Sequence, residues 1–364
     1  MTIHFAVFIG RFQPLHIGHQ HVIDTALKNA ETVIVLIGSA EASRSIRDPF
    51  TFEERRHLIE QVYRHEVATG RLVIRGVSDR TYNDDAWVAD VQRTVNETVL
   101  SLGNKGGPIL HGTKDFRIAL AGYKKDGTGY YLKKFPDWDA IDVPSQYGTF
   151  NASDIRADHF RRAPLLPHDT CHPAVVEWLK EFRLTPDFAN LVDEREFIDS
   201  YKASWKAAPY PPTFVTVDSV VVQSGHVLLV RRGQQPGKGL LAIPGGYVNQ
   251  GETLRAAAVR ELREETNISD ANVAKGKKLD SIPPAILDSF IDESATRVFD
   301  APHRSLRGRV ITHAFLFRCP DRRTLYRVKG GDDAAAAAWY RLGDLTPEQF
   351  FEDHWAILEE MIGL

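Results

Sequence analysis

The sequence predicts two α/β domains in succession, and three observations carry that prediction. Strand-length apolar runs alternate with amphipathic helical patterns through the first 160 residues or so, the alternation that yields a parallel sheet covered on both faces. A proline cluster, Pro209-Tyr210-Pro211-Pro212, then interrupts the chain with the strongest linker signal it contains. Beyond it a new series opens with two strand runs joined through Ser224-Gly225, a hairpin signature. A chain of 364 residues suits two domains of ~100–200 residues each. The boundaries read as 1–206, with a core at about 3–165 and a helical extension at 172–205, and 207–364.

Composition narrows the function classes. A net charge of -3 gives no electrostatic footprint for nucleic acid or an anionic membrane surface. No apolar run reaches the ~18 residues of a spanning helix, and the N-terminus enters a strand with no basic leader. Two cysteines, Cys171 and Cys319, are too few for a disulfide framework or a zinc site. They fit buried or free thiols in a reducing compartment. A soluble cytoplasmic enzyme is the expectation, with homo-oligomerisation left open.

The first domain is organised around Gly10-Arg11-Phe12-Gln13-Pro14-Leu15-His16-Ile17-Gly18-His19. The strand Phe5–Ile9 precedes this run, and a helical pattern at His19–Ala30 (Val22, Ile23, Ala26, Leu27) follows it. Glycines on such a turn tolerate positive φ or let a phosphate approach the backbone. His16 and His19 sit at the helix start, where unpaired N–H groups and the positive dipole end favour an anion. The remaining elements follow as strand 32–37, helix 51–65, strand 71–77, helix 86–99 and strand runs at 108–110, 118–121 and 140–143. In a parallel sheet, ligands bind beyond the carboxyl ends of the strands, and the informative polar residues fall there. After the second strand come Arg44, Arg47 and Arg55, placed either to reach a phosphate or to form a solvated basic loop, with Thr51 as a helix N-cap. Asp79, Asn83 and Trp87 follow the third strand and suit hydrogen bonding and stacking on a heteroaromatic ring. A lysine- and aromatic-rich stretch spans 123–138. The segment Phe150–Arg156 opens a helix, with Asn151 or Ser153 as cap and Arg156 on its first turn.

Together these pieces resemble the H-x-G-H nucleotidyltransferase superfamily, and within it the nicotinamide-nucleotide adenylyltransferases. The match is carried by Gly10–Pro14 with His16 and His19, by Asp48–Thr51, by Asp79 with Asn83 and Trp87, and by Asn151–Arg156. In the last segment Asn151 and Ser153 stand where the superfamily usually has Ser and Thr. The resemblance implies a Rossmann-like fold and transfer of AMP from ATP to nicotinamide mononucleotide, giving NAD and pyrophosphate. It implies ATP binding by Gly10, Arg11, Phe12, His16, His19, Ser153 and Arg156, with His16, His19 and Arg156 catalytic. It places the nicotinamide nucleotide at Asp79, Asn83 and Trp87, with Mg²⁺ carried on the nucleotide phosphates.

The second half reads as strands at 214–222 and 227–231, a glycine-bearing loop at 246–253 and a helix at 254–266. Glu261, Glu264 and Glu265 stand at i, i+3 and i+4, which a helix gathers on one face, continuing the line of Leu254, Ala257 and Ala258. Carboxylates so crowded are stable when a divalent cation, Mg²⁺ or Mn²⁺, neutralises them. The spacing Gly246-x5-Glu252-x7-Arg260-Glu261-Leu262-x-Glu264-Glu265-x-x-Ile268 resembles the Nudix box, with Asn267 in place of its usual Gly. Asn is the next-best residue for a left-handed helix end. This resemblance implies an α/β/α fold with a mixed sheet and hydrolysis of a nucleoside diphosphate derivative. Glu261, Glu264 and Glu265 would be metal ligands and catalytic groups, and Glu252 with Arg260 a supporting ion pair. Stretches 298–309 and 330–339 resemble the branch acting on ADP-ribose, with Arg304 and Arg307 as phosphate contacts and Asp332-Asp333 as a turn. The segment Thr346–Ile362 reads as a closing helix without site residues.

The expected protein is thus a bifunctional enzyme of NAD metabolism, making NAD in its first domain and cleaving ADP-ribose to AMP and ribose 5-phosphate in its second. The alternative keeps both folds but takes nicotinate mononucleotide or pantetheine phosphate as acceptor, with the second domain a nucleotide sensor.

Overall fold

The computed structural model describes residues 3–103, 116–123, 133–144, 152–161, 170–270, 282–331 and 334–364. The expected strand at 108–110, the 124–132 stretch, Asn151 and the Asp332-Asp333 turn lie outside the described residues. The chain forms two compact units, Met1–Val192 and Asp193–Leu364. The division falls inside a helix upstream of the proline cluster on which the sequence places it.

The first unit contains β1 (Ile3–Gly10), α1 (Ile17–Asn29), β2 (Ala30–Ile37), α2 (Phe52–Val62), α3 (Arg64–Ala68) and β3 (Leu72–Gly76). It continues with α4 (Asp84–Gly103), β4 (Ile118–Tyr123), β5 (Asp139–Val143), α5 (Ala152–Phe160), α6 (Pro173–Phe182) and the start of α7 (Pro186–Ala203). The five strands are parallel in the order β3-β2-β1-β4-β5. Side chains of β1 alternate between two cores, as pleating requires. Ala6 and Phe8 pack with Val22, Ile23 and Ala26 of α1 and Leu58 and Ile59 of α2. Phe5, Val7 and Ile9 pack on Val91, Val95 and Val99 of α4. The chain runs outward from β1 through β2 and β3, then returns to β1's other side at β4. The loop after β1 therefore sits at the topological switch point, where open α/β sheets take ligands.

The second unit contains β6 (Thr213–Gln223), β7 (His226–Arg232), β8 (Leu241–Ala242), β9 (Gly245–Tyr247) and α8 (Leu254–Thr266). After these come α9 (Pro284–Asp288), β10 (Arg297–Phe299), β11 (Arg309–Arg318), β12 (Ala334–Arg341) and α10 (His354–Ile362). The sheet runs β10-β11-β6-β7-β12, with β8 on β7 and β9 on β6. It is mixed, because β11 and β6 are parallel while the other pairs are antiparallel. The β6–β7 turn has Ser224 at φ 47° and Gly225 at φ 74°, the left-handed pair a tight hairpin demands. Helix α8 lays Ala257, Ala258 and Leu262 on Val217, Val221 and Leu228 of the sheet. Thr253 caps its start by accepting from the Ala256 N–H, and Asn267 ends it in the left-handed region at φ 44°. The expected closing helix is shorter than read: a 3₁₀ turn covers Pro347–Gln349, and α10 begins only at His354.

Candidate active sites

The turn after β1 is built around two imidazoles that cap a helix. His16 is the N-cap of α1; its Nδ1 accepts from the Gly18 N–H at 3.1 Å, and His19 Nδ1 accepts from the His16 N–H at 3.4 Å. With each Nδ1 an acceptor, a neutral ring carries its proton on Nε2. The rings lie 3.8 Å apart between centroids, so both form one face at the positive end of α1. Gly18 leaves room for this ring, because a Cβ there would lie 2.9 Å from His16 Cε1. Phe12, fully buried at φ 52°, is a strained left-handed residue of the kind that clusters at functional sites. Its ring packs edge-on to Phe8 at 5.4 Å and lies 4.8 Å from His19.

The loop after β2 clamps this turn. The buried Gln13 amide bonds both ways to Phe50, donating to its carbonyl at 2.9 Å and accepting from its N–H at 3.0 Å. Arg11 Nε donates to Asp48 at 3.1 Å. Arg55, 1% exposed, donates to the carbonyls of Arg11, Gly38, Ser39 and Thr51 at 2.7–3.1 Å. Burial lowers its pKa to about 10. Arg44 pairs with Glu54 at 2.9 Å and Asp187 at 3.2 Å. Arg55 and Arg44 thus hold the scaffold rather than reach for phosphate, a correction to the basic-loop expectation. Thr51 caps α2 in a reciprocal box with Glu54, as its position predicts.

Arg156, from the first turns of α5, reaches the same loop. Its Nη1 donates to the Gln13 carbonyl at 2.7 Å and its Nη2 to Ser153 Oγ at 3.0 Å. Burial and the neighbouring charge of Arg11 push its pKa down to about 10, with Asp48 opposing. Arg156, Arg11, Ser153 and the histidine turn are therefore brought together. Asp79 is exposed in the loop after β3, and Asn83 Oδ1 accepts from the Ala86 N–H at 3.0 Å, capping α4. Trp87 is half-buried, 6.3 Å edge-on from Phe135, which stacks on Trp138. The Asp79–Trp87 group shares the carboxyl edge of the sheet with the histidine turn, and Trp87 also packs inward.

In the second unit α8 splits its acids between two directions. Glu261 and Glu265 follow Ala257 and Ala258 inward; Glu264 is at the rim, its side chain 48% exposed. Glu265 accepts from the Gly245 N–H at 3.0 Å. Burial, then the nearby Glu261 and Asp218, raise its pKa to about 8. Gly246 packs tightly here, since a Cβ would lie 2.5 Å from Glu261 Oε1. Arg260 bonds Glu252 at 2.6 Å, Glu261 and Glu264 at 2.8 Å, and the Tyr247 carbonyl at 3.1 Å. The Glu252–Arg260 pair is present, and the same guanidinium spans two of the three expected ligands. Among the described residues no three acidic, His or Cys side chains converge as a metal cage, and Arg260 pairs with Glu261 and Glu264 in this arrangement. Crowded hard oxygen donors, one of them buried at an open glycine backbone, nevertheless fit a divalent cation.

A cavity of about 380 Å³ opens beside these acids, and Glu261, Glu265, Asp218, Tyr247, Arg304 and Arg307 are on its wall. Arg304 is not positioned as a phosphate contact alone. Its side chain is 4% exposed and forks onto Asp353 at 2.8 and 2.9 Å, with Asp218 at 3.9 Å. Arg307 is more accessible, 3.7 Å from Glu352. Asp218 accepts from Thr312 Oγ1 at 2.6 Å; burial raises its pKa to about 6, with Arg304 opposing.

Sequence reasoning missed part of this wall. Glu352 and His354 line the cavity, against the expectation that 346–362 holds no site residue. Burial raises the Glu352 pKa and lowers that of His354. Three consecutive titratable residues at 352–354 ahead of an apolar helix were the available signal. Asp218, a lone acid within an apolar strand, was another, since unpaired buried carboxylates are rare. Phe197 and Tyr201 of α7 also line the cavity; their i, i+4 aromatic spacing was visible, but their destination was not.

A histidine-capped turn on a parallel sheet, with a carboxylate-bearing helix beside a walled cavity on a mixed one, defines a two-site enzyme of nucleotide phosphate chemistry. The Cytidylyltransferase-like family matches residues 7–97 and the NUDIX domain family residues 212–361. The chain belongs to the family of bifunctional NMN adenylyltransferase/ADP ribose pyrophosphatases. It is similar to the crystal structure of such a protein from Francisella tularensis complexed with AMP and Mn ion, at 33% identity, 98% coverage of each chain and a TM-score of 0.84. It is 30% identical over 54% of its own length and 95% of the relative's to a nicotinamide/nicotinic acid mononucleotide adenylyltransferase of Acinetobacter baylyi. It is 32% identical over 40% of its own length and 71% of the relative's to an ADP-ribose pyrophosphatase of Methanocaldococcus jannaschii.

Proposed function

We propose that the chain makes NAD in its first unit and hydrolyses ADP-ribose in its second. The observation that carries this reading is the match over 98% of both chains to a bifunctional NMN adenylyltransferase/ADP ribose pyrophosphatase. The geometry of each site supports it independently.

In the first reaction the 5′-phosphate oxygen of nicotinamide mononucleotide bonds to the α-phosphorus of ATP, and the bond from that phosphorus to pyrophosphate breaks. The attacking group is already an anion, so catalysis rests on positioning and charge stabilisation. His16 and His19, with Nδ1 holding backbone N–H groups, direct Nε2–H donors at the ATP phosphates. Arg156, with Arg11 and Ser153, stabilises the charge that develops on transfer. Gly10 and Phe12 shape the turn that lets the phosphates approach. Asp79 and Asn83 hold the mononucleotide, and Trp87 stacks on its pyridine ring.

In the second reaction water attacks a phosphorus of the ADP-ribose diphosphate, giving AMP and ribose 5-phosphate. Glu261, Glu264 and Glu265 would hold the divalent cation, Mg²⁺ or Mn²⁺, which when bound neutralises the diphosphate and acidifies water beside it. Cation loading requires Arg260 to release Glu261 and Glu264 while keeping Glu252. Arg307 contacts substrate phosphate, and Arg304 keeps Asp218 and Asp353 in place behind it. The cytoplasm is the compartment we propose. Cys171 and Cys319 are free and buried, and among the described residues no helix is long and apolar enough to cross a membrane.

Product mass after incubation of the full chain tests the reading. NAD and pyrophosphate should form from nicotinamide mononucleotide and ATP, and AMP with ribose 5-phosphate from ADP-ribose, the latter lost in Glu264→Gln. Turnover of pantetheine phosphate but not of pyridine mononucleotides would replace the acceptor. ADP-ribose left intact by the native chain would make the second unit a sensor.

A further inference from the structure

The first turn of α1 is gripped by two contacts from distant parts of the first unit, one at an N–H and one at a carbonyl. The Ile17 N–H donates to the carbonyl of Thr170, just ahead of α6, at 3.1 Å. The hydroxyl of Tyr123, the last residue of β4, donates to the Gly18 carbonyl at 2.9 Å. The Tyr123 ring also faces His21, 21° from parallel and 6.3 Å between centroids. Residues 18 and 21 are neighbours on one helix face, so Tyr123 meets α1 at two adjoining points. Strand β4 pairs in parallel register with β1, Ala6 opposite Ala119. The sheet frame that ends in the histidine turn therefore also carries the phenol.

The hydroxyl is not needed to satisfy the backbone. A carbonyl in the first turn of a helix already accepts from the N–H four residues on, and its second lone pair is free to take another donor. What the bond fixes is orientation. The Gly18 oxygen lies in the same planar peptide as the His19 N–H, and the N–H of Gly18 itself is held by His16 Nδ1. Holding that one carbonyl therefore sets the Cα of His19 and, through Gly18, the ring of His16.

We infer that Tyr123 is a positioning residue for NAD formation, its hydroxyl locking the Gly18–His19 peptide so that both imidazoles keep their aim at the ATP phosphates. The inference rests on the adenylyltransferase reading of the first unit. Tyr123 acts through the histidines and needs no contact with substrate.

The test is steady-state NAD formation by the full chain, Tyr123→Phe, His19→Ala and the double variant, with ADP-ribose cleavage and thermal melting on the same preparations. A displacement near 1 Å costs roughly 100-fold in rate, so the smaller shift in Tyr123→Phe should lower kcat about ten-fold, with KM for ATP and nicotinamide mononucleotide within about two-fold. In the His19→Ala background the same substitution should cost less than about two-fold, since residues that act as a unit are not additive. ADP-ribose cleavage should be unchanged. An equal loss in both backgrounds, a rise in KM in place of the fall in kcat, or a lower melting temperature with native kcat would overturn the inference. Should Tyr123→Phe fail to fold, judged by loss of the first unit's melting transition, Tyr123→Met removes the donor at similar length and is held to the same outcomes. Failure of the native chain to form NAD would instead sink the adenylyltransferase reading itself.

Discussion

Arg156 Nη1 donates to the Gln13 carbonyl across 2.7 Å, fixing the start of α5 to the turn that leads into His16. In the proposed function this cation serves the charge that develops on the transferred phosphate. Arg156→Ala should lower kcat/KM for NAD formation by about 10²–10³, the usual loss for one preorganised transition-state donor. ADP-ribose hydrolysis should be unchanged. Arg156→Lys keeps the charge without the fork and should recover part of the loss. Steady-state kinetics on both reactions decide it; a drop under about three-fold would remove Arg156 from the site.

Gly18 tests the histidine geometry without touching a histidine. Its Cβ would meet the His16 ring at 2.9 Å, so Gly18→Ala must rotate that ring or shift the first turn of α1. A displacement near 1 Å costs roughly 100-fold in rate. The expected result is that loss in NAD formation with a thermal midpoint close to native. Near-native turnover would show that His16 orientation does not matter.

Arg304 and Arg307 should separate stability from binding. Removing Arg304 leaves Asp353 and Asp218 as buried carboxylates without their cation, a lesion worth about 3–5 kcal/mol. Urea melts should show that loss for Arg304→Ala. Arg307→Ala should fold normally and raise KM for ADP-ribose several-fold. The opposite pattern would return Arg304 to direct phosphate contact.

His159 should make the first unit acid-sensitive. Its ring lies among Phe160, Phe182 and Phe188, with Nε2 unpartnered among the described residues. Burial, with Arg183 adding repulsion, lowers its pKa from 6.5 to about 4. Between those values the unfolded chain binds the proton and the folded one does not, so stability rises with pH. The contribution is complete above pH 6.5 and is lost as pH falls through about 4. His159→Phe should flatten the pH dependence of the first unit's melting over this window. An unchanged slope would mean that another group carries it.

Much of this was legible in the residues. The Gly10–His19 turn, the left-handed Asn267 and the Glu252–Arg260 pair depend on local spacing, and local spacing survives folding. What was not legible is which arginines are spent on scaffolding. Arg55 and Arg304 look like phosphate ligands until the carbonyls and carboxylates around them are placed, and those partners include Arg11, 44 positions from Arg55, and Asp353, 49 positions from Arg304. Charge can be read from sequence, but its partner is set by tertiary packing. The same holds for Tyr201, whose meeting with Tyr247 across 46 positions no periodicity predicts. Glu264 shows a finer limit: the helix puts it with Glu261 and Glu265 on paper, while the fold sends it to the rim.

The central claim is that one chain holds two independent chemistries, and a crossed pair of variants tests it most directly. NAD formation and ADP-ribose cleavage are measured on the same preparations of native chain, His19→Ala and Glu264→Gln. His19→Ala should lose NAD formation by about 100-fold or more and cleave ADP-ribose at the native rate, and Glu264→Gln should do the reverse. Loss of both activities in either variant, or of neither in both, would contradict the account.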